Sequence, residues 1–342
     1  MAIRSVDISD FLVFKGKFST KYCSGINILI GGNGTGKTTL LKVMYGILNR
    51  KVENCFYSSE HKNSAAFGEG IVRLVFDNES TTEFQQGRYN ETAGSIVDPS
   101  TGKIITFESG VSTYVATGKP KEATKEPSSV YIPEKDMLSH SLGFLALKHE
   151  RPSIPFDDTL TDIIAKAQLY PKKEMFNNPL CTQIRAIIGG EVAFDNDSFI
   201  VLKDNGGTQV PFPMEASGYR KLGLLWKLIR NGLLETGSIL FWDEPENSLN
   251  PELIPVLVDI LLELSRNGVQ IFIATHSEIL ASYFAVNSRN NDIVLFTSLY
   301  KDGELIKANT DNRFDLLEPN NLTAEPVKLY EKEIEKGLGG NG

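Results

Sequence analysis

Cysteine is scarce in this chain. There are three in 342 residues, Cys23, Cys55 and Cys181, far apart and without metal-ligand spacing. That excludes a disulfide scaffold and a cysteine zinc site, and it fits reduced thiols in a cytoplasmic protein. Long apolar runs are missing too: no stretch approaches the roughly 18 apolar residues of a membrane-spanning helix. No membrane insertion is expected, so a transport role would need a separate membrane subunit. Asp7, Asp10 and Lys15 stand early in the chain, where a signal peptide would carry its apolar core. Positive charge is in deficit, with 35 Lys and Arg against 43 Asp and Glu, a net charge of -8. Such a surface lends no support to a nucleic-acid or anionic-membrane partner, although it leaves room for a local basic groove. There is no internal repeat and no sustained heptad pattern, which argues against solenoids and long coiled-coil arms.

What the chain does have is concentrated in one stretch, Ile28 to Thr39. It fits the phosphate loop Gly-x-x-x-x-Gly-Lys-[Ser/Thr] through Gly31, Gly32, Asn33, Gly34, Thr35, Gly36, Lys37 and Thr38, with Thr39 next. The apolar run Ile26 to Ile30 predicts a buried strand leading in. Leu40, Leu41, Met44, Ile47 and Leu48 predict a helix leading out. Glycines let backbone N–H groups approach phosphate oxygens, and a helix N-terminus favours an anion. Lys37 would reach the β- and γ-phosphates and the Thr38 hydroxyl would hold Mg²⁺, which makes ATP with Mg²⁺ the expected ligand.

Along the chain, residues 3 to 30 read as two strands, Ile3 to Ile8 and Gly25 to Ile30, joined by a link through Phe11 to Lys17. The polar stretch 49–70 reads as loop. Short strands at 71–76, 81–84 and 103–107, with a turn at 98–102, predict an antiparallel patch. The lysine-bearing stretch 118–129 reads as a solvated link. A core strand at 128–132 precedes mainly helical spacing over 137–186, and 187–212 reads as a hairpin pair. Ser217 to Leu234 carries Leu222, Leu225, Trp226 and Ile229 at helical spacing.

Ser238 to Trp242 predicts a buried strand ending in Asp243 and Glu244. Asp243 is placed to hold Mg²⁺, and Glu244 to act as general base on the attacking water. Asn250-Pro251 starts the next helix. Val269 to Ala274 is a further buried strand, and His276 just beyond it would sit where ligands collect in a parallel sheet. Ser217 and Gly218 open their helix as a second anion site, with an ordinary serine cap as the plainer alternative. Residues 293–296 are expected as the last core strand, Lys301 to Glu304 as a hairpin turn, and 322–336 as a charged amphipathic helix. His61, His140 and His149 have no metal spacing.

In this order these pieces resemble the ABC-type ATPase head, and most closely the compact AAA-type ATPases related to the SMC, RecF and OLD families. Asp243-Glu244-Pro245-Glu246-Asn247-Ser248-Leu249-Asn250-Pro251 carries the likeness further. The resemblance implies an α/β P-loop NTPase with a mostly parallel core sheet, an antiparallel β subdomain and a helical lobe. It implies one domain over 1–342: a first lobe at about 1–132 and 236–310, a helical signature lobe at about 133–235, and a C-terminal helix. By the same resemblance Gly31 to Thr39 are Walker A, Asp243 is Walker B, Glu244 the catalytic glutamate and His276 the switch histidine. Ser217 and Gly218 would act on the nucleotide of an opposed subunit, and Ser248 to Asn250 would face the dimer. The implied protein is an ATPase that forms an ATP-dependent homodimer and works with a separately encoded effector, in bacterial defence or DNA metabolism. Two departures weaken the alternative of a transporter ATPase: the signature reads Ala216-Ser217-Gly218-Tyr219, and Glu134 stands nearest to where a Q-loop glutamine is expected. A non-hydrolysing ATP-dependent scaffold is the other alternative. The acidic motifs of an OLD-type nuclease are not found after His276.

Overall fold

The computed structural model describes residues 1–56, 70–88, 94–97, 104–107, 111–117, 127–150 and 156–337. Most of the polar stretch expected over 49–70, His61, the turn at 98–102 and most of the link at 118–129 lie outside them. Strands β1 (Ile3–Phe11), β2 (Phe14–Lys21) and β3 (Ile26–Gly31) come first, and helix α1 (Lys37–Leu48) follows. The expected link after Phe11 is therefore a strand. Ile8 pairs with Phe18 and Phe11 with Phe14, so β1 and β2 form a hairpin. Phe14, Phe18 and Thr20 are buried between exposed lysines and serine. That is the period of two of a half-buried strand, masked in sequence by Lys15-Gly16-Lys17.

Next come β4 (Ile71–Phe76), β5 (Thr81–Arg88), β6 (Gly94–Val97), β7 (Ile104–Phe107) and β8 (Val111–Thr117). The antiparallel patch is a five-stranded sheet in the order β2-β1-β4-β5-β8, while β6 and β7 pair only with each other. The strand expected at 103–107 thus belongs to a separate hairpin. After β9 (Ser129–Ile132) the chain is helical through α2 (Phe144–Glu150), α3 (Asp158–Gln168) and α4 (Pro179–Ile188). Asp157 caps α3 by accepting from the Thr159 N–H, and Asn178 caps α4 with Pro179 in the first turn. A three-stranded meander, β10 (Gly190–Asp195), β11 (Ser198–Lys203) and β12 (Gln209–Pro211), leads to α5 (Ser217–Arg230).

The last third holds β13 (Ile239–Asp243), α6 (Ile254–Arg266), β14 (Gln270–Ala274), α7 (Glu278–Asn287), β15 (Val294–Asp302), β16 (Leu305–Asp311) and α8 (Asn321–Gly337). The helix expected at Asn250-Pro251 opens as a 3-10 turn, Pro251–Leu253, capped by the Asn250 side chain. The core sheet runs β16-β15-β3-β14-β13-β9, parallel throughout except for the β15–β16 hairpin. Every residue of β3, β13 and β14 is buried. Alternation sends Ile26, Ile28, Ile30, Leu240, Trp242, Ile271 and Ile273 to one face, against helices that include α3, α5 and α6. Leu29, Phe241, Phe272 and Ala274 face α1 and the antiparallel sheet. Both faces are covered, which explains the near-continuous apolar runs in the sequence.

One buried amide ties the two sheets. The Gln270 side chain accepts from the Ile3 N–H at 2.8 Å and donates to the carbonyls of Ile3 at 2.8 Å and Cys23 at 2.7 Å. A Gln270→Leu variant leaves all three backbone groups without that partner. It should lose about 2–4 kcal/mol in urea unfolding, and an unchanged midpoint would remove this link from the account.

Candidate active site

The loop after β3 depends on glycine at two points. Gly31 has φ +147°, and a Cβ there would lie 2.2 Å from the Leu299 carbonyl oxygen. Gly36, at φ +89°, precedes α1, and a Cβ would meet the Phe14 ring at 2.7 Å. Asn33 and Gly34 stand exposed at the tip, Thr35 is buried with its hydroxyl donating to the Gly32 carbonyl at 2.9 Å, and Thr39 is half-buried on α1. The N–H groups of the first turn of α1 have no intrahelical partner and make an anion cradle with the loop. Lys37 folds back over this cradle, its Nζ donating to the carbonyls of Gly31 at 2.7 Å and Gly32 at 3.2 Å. Burial pulls its pKa down to about 8, while Glu244, Asp243 and Glu246 act in the opposite sense. A cation so placed gains from an anion in the cradle.

The acidic strand end reaches this loop directly. The Thr38 hydroxyl donates to Asp243 Oδ1 at 3.1 Å, across 205 residues of sequence, and the Tyr131 hydroxyl donates to Oδ2 at 3.2 Å. Burial raises the Asp243 pKa, and the two hydroxyl donors work against that rise. A hydroxyl beside a carboxylate is a hard oxygen pair that suits Mg²⁺, an ion that takes its remaining ligands from phosphate and water. Among the described residues no group of three His, Cys, Asp or Glu could hold a metal alone.

Glu244 sits one residue beyond, in a left-handed conformation at φ +47°. Its N–H donates to the Ala274 carbonyl at 2.9 Å, closing the ladder as the chain turns out of the sheet. His276 Nε2 stands 3.4 Å from Glu244 Oε1. Burial raises the Glu244 pKa, helped by the negative charges of Glu134, Asp243 and Glu246. Burial and the Lys37 charge lower that of His276. A more basic carboxylate beside a neutral imidazole can take a proton from water and hold it in place.

Ser217 and Gly218 lie elsewhere in the chain's bonding. Ala216 occupies the cap position of α5 without a side-chain bond, so Ser217 is the first helical residue and not a cap. The Ser217 hydroxyl donates instead to the Ser248 carbonyl at 2.5 Å. A Cβ on Gly218 would meet Leu253 at 2.7 Å and Leu249 at 3.1 Å. The pair is therefore packed on the Ser248–Asn250 segment. Glu134 accepts from the Asn247 amide at 2.6 Å. Three site residues escaped the sequence reading: Tyr131, Lys221 and Glu246. Lys221 Nζ donates to the carbonyls of Glu244 at 3.1 Å and Pro245 at 3.0 Å. Glu246 Oε1 accepts from the Thr275 hydroxyl at 2.6 Å and the His276 N–H at 3.0 Å. A tyrosine inside an apolar strand, which needs a partner for its hydroxyl, was the one signal in the sequence that could have pointed to Tyr131.

A family model described as "AAA domain, putative AbiEii toxin, Type IV TA system" matches residues 26–282. The chain belongs to this AAA family. The matched span of the AAA domain opens on β3 and closes within α7, so it contains the Lys37 loop, Ser217, Asp243, Glu244 and His276. No curated protein matches the chain. Solved structures do. An SMC head bound to the C-winged helix domain of ScpA is 11% identical with a TM-score of 0.53, over 91% of this chain and 98% of the other. The SMC head domain from Thermotoga maritima is 14% identical with a TM-score of 0.50, over 91% and 99%. An Smc head with an extended coiled coil, bound to the C-terminal domain of ScpA derived from Pyrococcus furiosus, is 10% identical with a TM-score of 0.51, over 97% and 99%. At these identities the likeness shows the fold, that of a P-loop NTPase head.

The Tyr131 hydroxyl orients the carboxylate that is suited to Mg²⁺. Tyr131→Phe should raise the Mg²⁺ concentration needed for half-maximal nucleotide binding about tenfold, the lower end for losing such a supporting bond. Calorimetric titration over a Mg²⁺ series measures this, and an unshifted midpoint would separate Tyr131 from metal binding.

Proposed function

We propose that this AAA protein is an ATP-hydrolysing switch whose heads close in pairs on two ATP molecules and pass the motion to a separately encoded effector. The observation that carries the reading is the Glu244–His276 contact of 3.4 Å at the same sheet edge as the Thr38–Asp243 hydrogen bond of 3.1 Å. The loop Gly31 to Thr39 cradles the phosphates, and Lys37 leaves its two carbonyl partners for phosphate oxygens. Thr38 and Asp243 would hold Mg²⁺, which would neutralise phosphate charge. Glu244 accepts a proton from the attacking water at its carboxylate, and His276 steadies that carboxylate through Nε2. The bond from the γ-phosphorus to the oxygen bridging it to the β-phosphate breaks as the water oxygen bonds to that phosphorus, giving ADP and phosphate.

In this reading residues 1–132 and 236–310 form the nucleotide lobe and 133–235 the signature lobe of a single domain. Ser217 and Gly218 act on the nucleotide of the opposed head, which fits their lack of any hydrogen bond to the Lys37 loop among the described residues. SMC heads of this fold are seen bound to ScpA, which supports a protein partner for this head too. The family description names a toxin–antitoxin component and fits a role in bacterial defence in the cytoplasm. No helix among the described residues is long and apolar enough to cross a membrane.

Lys37→Ala should abolish ATP binding in calorimetry. Glu244→Gln should keep ATP affinity while turning over at least about 100-fold more slowly, the scale for losing a positioned base. Normal turnover in that variant would remove Glu244 from the mechanism. Ser217→Arg, placed in the Glu244→Gln background, should prevent the ATP-dependent dimer in light scattering and leave nucleotide binding intact. A dimer that still forms would exclude the opposed-signature arrangement.

A further inference from the structure

The mechanism above leaves the Glu246 carboxylate without a task. Glu246 stands on the turn that leaves β13, yet its bonds go to the turn that leaves β14. Its Oε1 takes the Thr275 hydroxyl and the His276 backbone N–H together. We infer that Glu246 is a positioning residue, which fixes the His276 peptide so that the imidazole meets Glu244 at working distance. The inference rests on the ATPase reading proposed above.

Three observations carry it. Thr275 is fully buried, and its own N–H donates to the Leu29 carbonyl at 3.0 Å, so the residue Glu246 grips is anchored to the strand that feeds the phosphate loop. Beyond it, the Ser277 N–H donates to the Thr275 hydroxyl oxygen at 2.9 Å, and the Ser277 hydroxyl caps α7 by accepting from Leu280. His276 is thus flanked by two fixed residues, and the Glu246 carboxylate is what its own N–H meets. Charge-assisted bonds of this kind are short and directional. On the other side Lys221 fixes the carbonyls of Glu244 and Pro245, so both arms that present the reacting pair are held. Glu246 therefore works through His276 and does not itself face the nucleotide in this scheme.

The test is steady-state ATP hydrolysis by the full chain in four variants, with thermal midpoints as a check on folding. His276→Ala sets the reference loss. Glu246→Ala should lower kcat at least tenfold with KM for ATP within about twofold of the parent. Glu246→Gln should recover most of that loss, because an amide oxygen still accepts both bonds, and its nitrogen falls where Oε2 has no hydrogen-bond partner among the described residues. In the Glu246→Ala/His276→Ala double variant kcat should be no lower than in His276→Ala alone, the signature of two residues acting as a unit. Independent, multiplying losses would overturn the inference, as would a Glu246→Ala enzyme of normal kcat beside a slow His276→Ala. A normal His276→Ala enzyme would overturn the role of His276 itself and this inference with it. If Glu246→Ala does not fold, Thr275→Val replaces it: a several-fold drop in kcat that disappears in the His276→Ala background supports the inference, and an unchanged kcat overturns it.

Discussion

The hydrogen bond from Thr38 to Asp243 depends on the register of three parallel strands, and the rest of the site depends on that bond. Ala274 is level with Leu29 on one side and with Asp243 on the other. Asp243 therefore ends its strand two residues short of Gly31, where the first turn of α1 can reach over to it. A slip of two residues in β13 would carry the carboxylate about 7 Å along the sheet, at roughly 3.3 Å per residue, and away from the Thr38 hydroxyl. Strands that are apolar on both faces do little to forbid such a slip, because a shift of two keeps every side chain on its own face. Polar groups hold the opposite ends of the strands: before β13 the Thr236 hydroxyl donates to the Asn267 carbonyl at 2.7 Å and the Gly237 N–H to the Gly268 carbonyl at 2.9 Å. Asn27 exchanges bonds with the backbone of Cys23 at 2.8 and 3.0 Å, and Gln270 does so with Ile3 and Cys23. Polar groups some distance from the site thus set the geometry of the site.

Charge at the site looks wrong for a polyanion until its layers are separated. Asp243, Glu244, Glu246 and Glu134 all crowd one sheet edge, and each of Asp243, Glu134 and Glu246 contributes to raising the Glu244 pKa. Against them stand Lys37 and Lys221, both with pKa values lowered by burial to about 8. The phosphate cradle itself is made of backbone N–H groups and a helix end, which carry no titratable charge and need no counter-ion. Asp243 meets the loop through the Thr38 hydroxyl, and a divalent cation held by that oxygen pair would offset the carboxylate charge.

Much of this was legible in the sequence for a simple reason. Where a strand is buried on both faces, its residues are mostly apolar, and the polar groups at its end stand out: Gly31 to Thr38 after β3, Asp243-Glu244 after β13, His276 after β14. The core helices α1 and α5 were legible through their apolar spacing, and α6 through Asn250-Pro251 at its start. The β1–β2 hairpin was not, because Lys15 to Lys17 interrupt the apolar pattern while still obeying the pleat. Tyr131, Lys221 and Glu246 were missed because their roles exist only across the fold. Tyr131 and Asp243 are 112 residues apart, and no local pattern links them. Glu246 lay in plain view within a recognised element, but its partners Thr275 and His276 belong to another strand.

The same distance effect explains why the signature residues gave an incomplete picture. Read locally, Ser217 is a helix cap, and caps are interchangeable among Ser, Thr, Asp and Asn. In the folded chain its hydroxyl is bound to Ser248, Gly218 has no room for a Cβ against Leu249 and Leu253, and Lys221 one turn later holds Glu244 and Pro245 by their carbonyls. Three contacts therefore join the N-terminal end of α5 to the segment that follows Asp243. The strand end is fixed by the sheet, and Glu244 leaves it in a left-handed conformation that only surrounding contacts maintain. A displacement of α5 must then be absorbed at Glu244 and the residues just after it, since Asp243 below them is held by its ladder, by Thr38 and by Tyr131. The fold thus places a left-handed turn at a carboxylate whose pKa burial raises, with metal-suited oxygens one residue away.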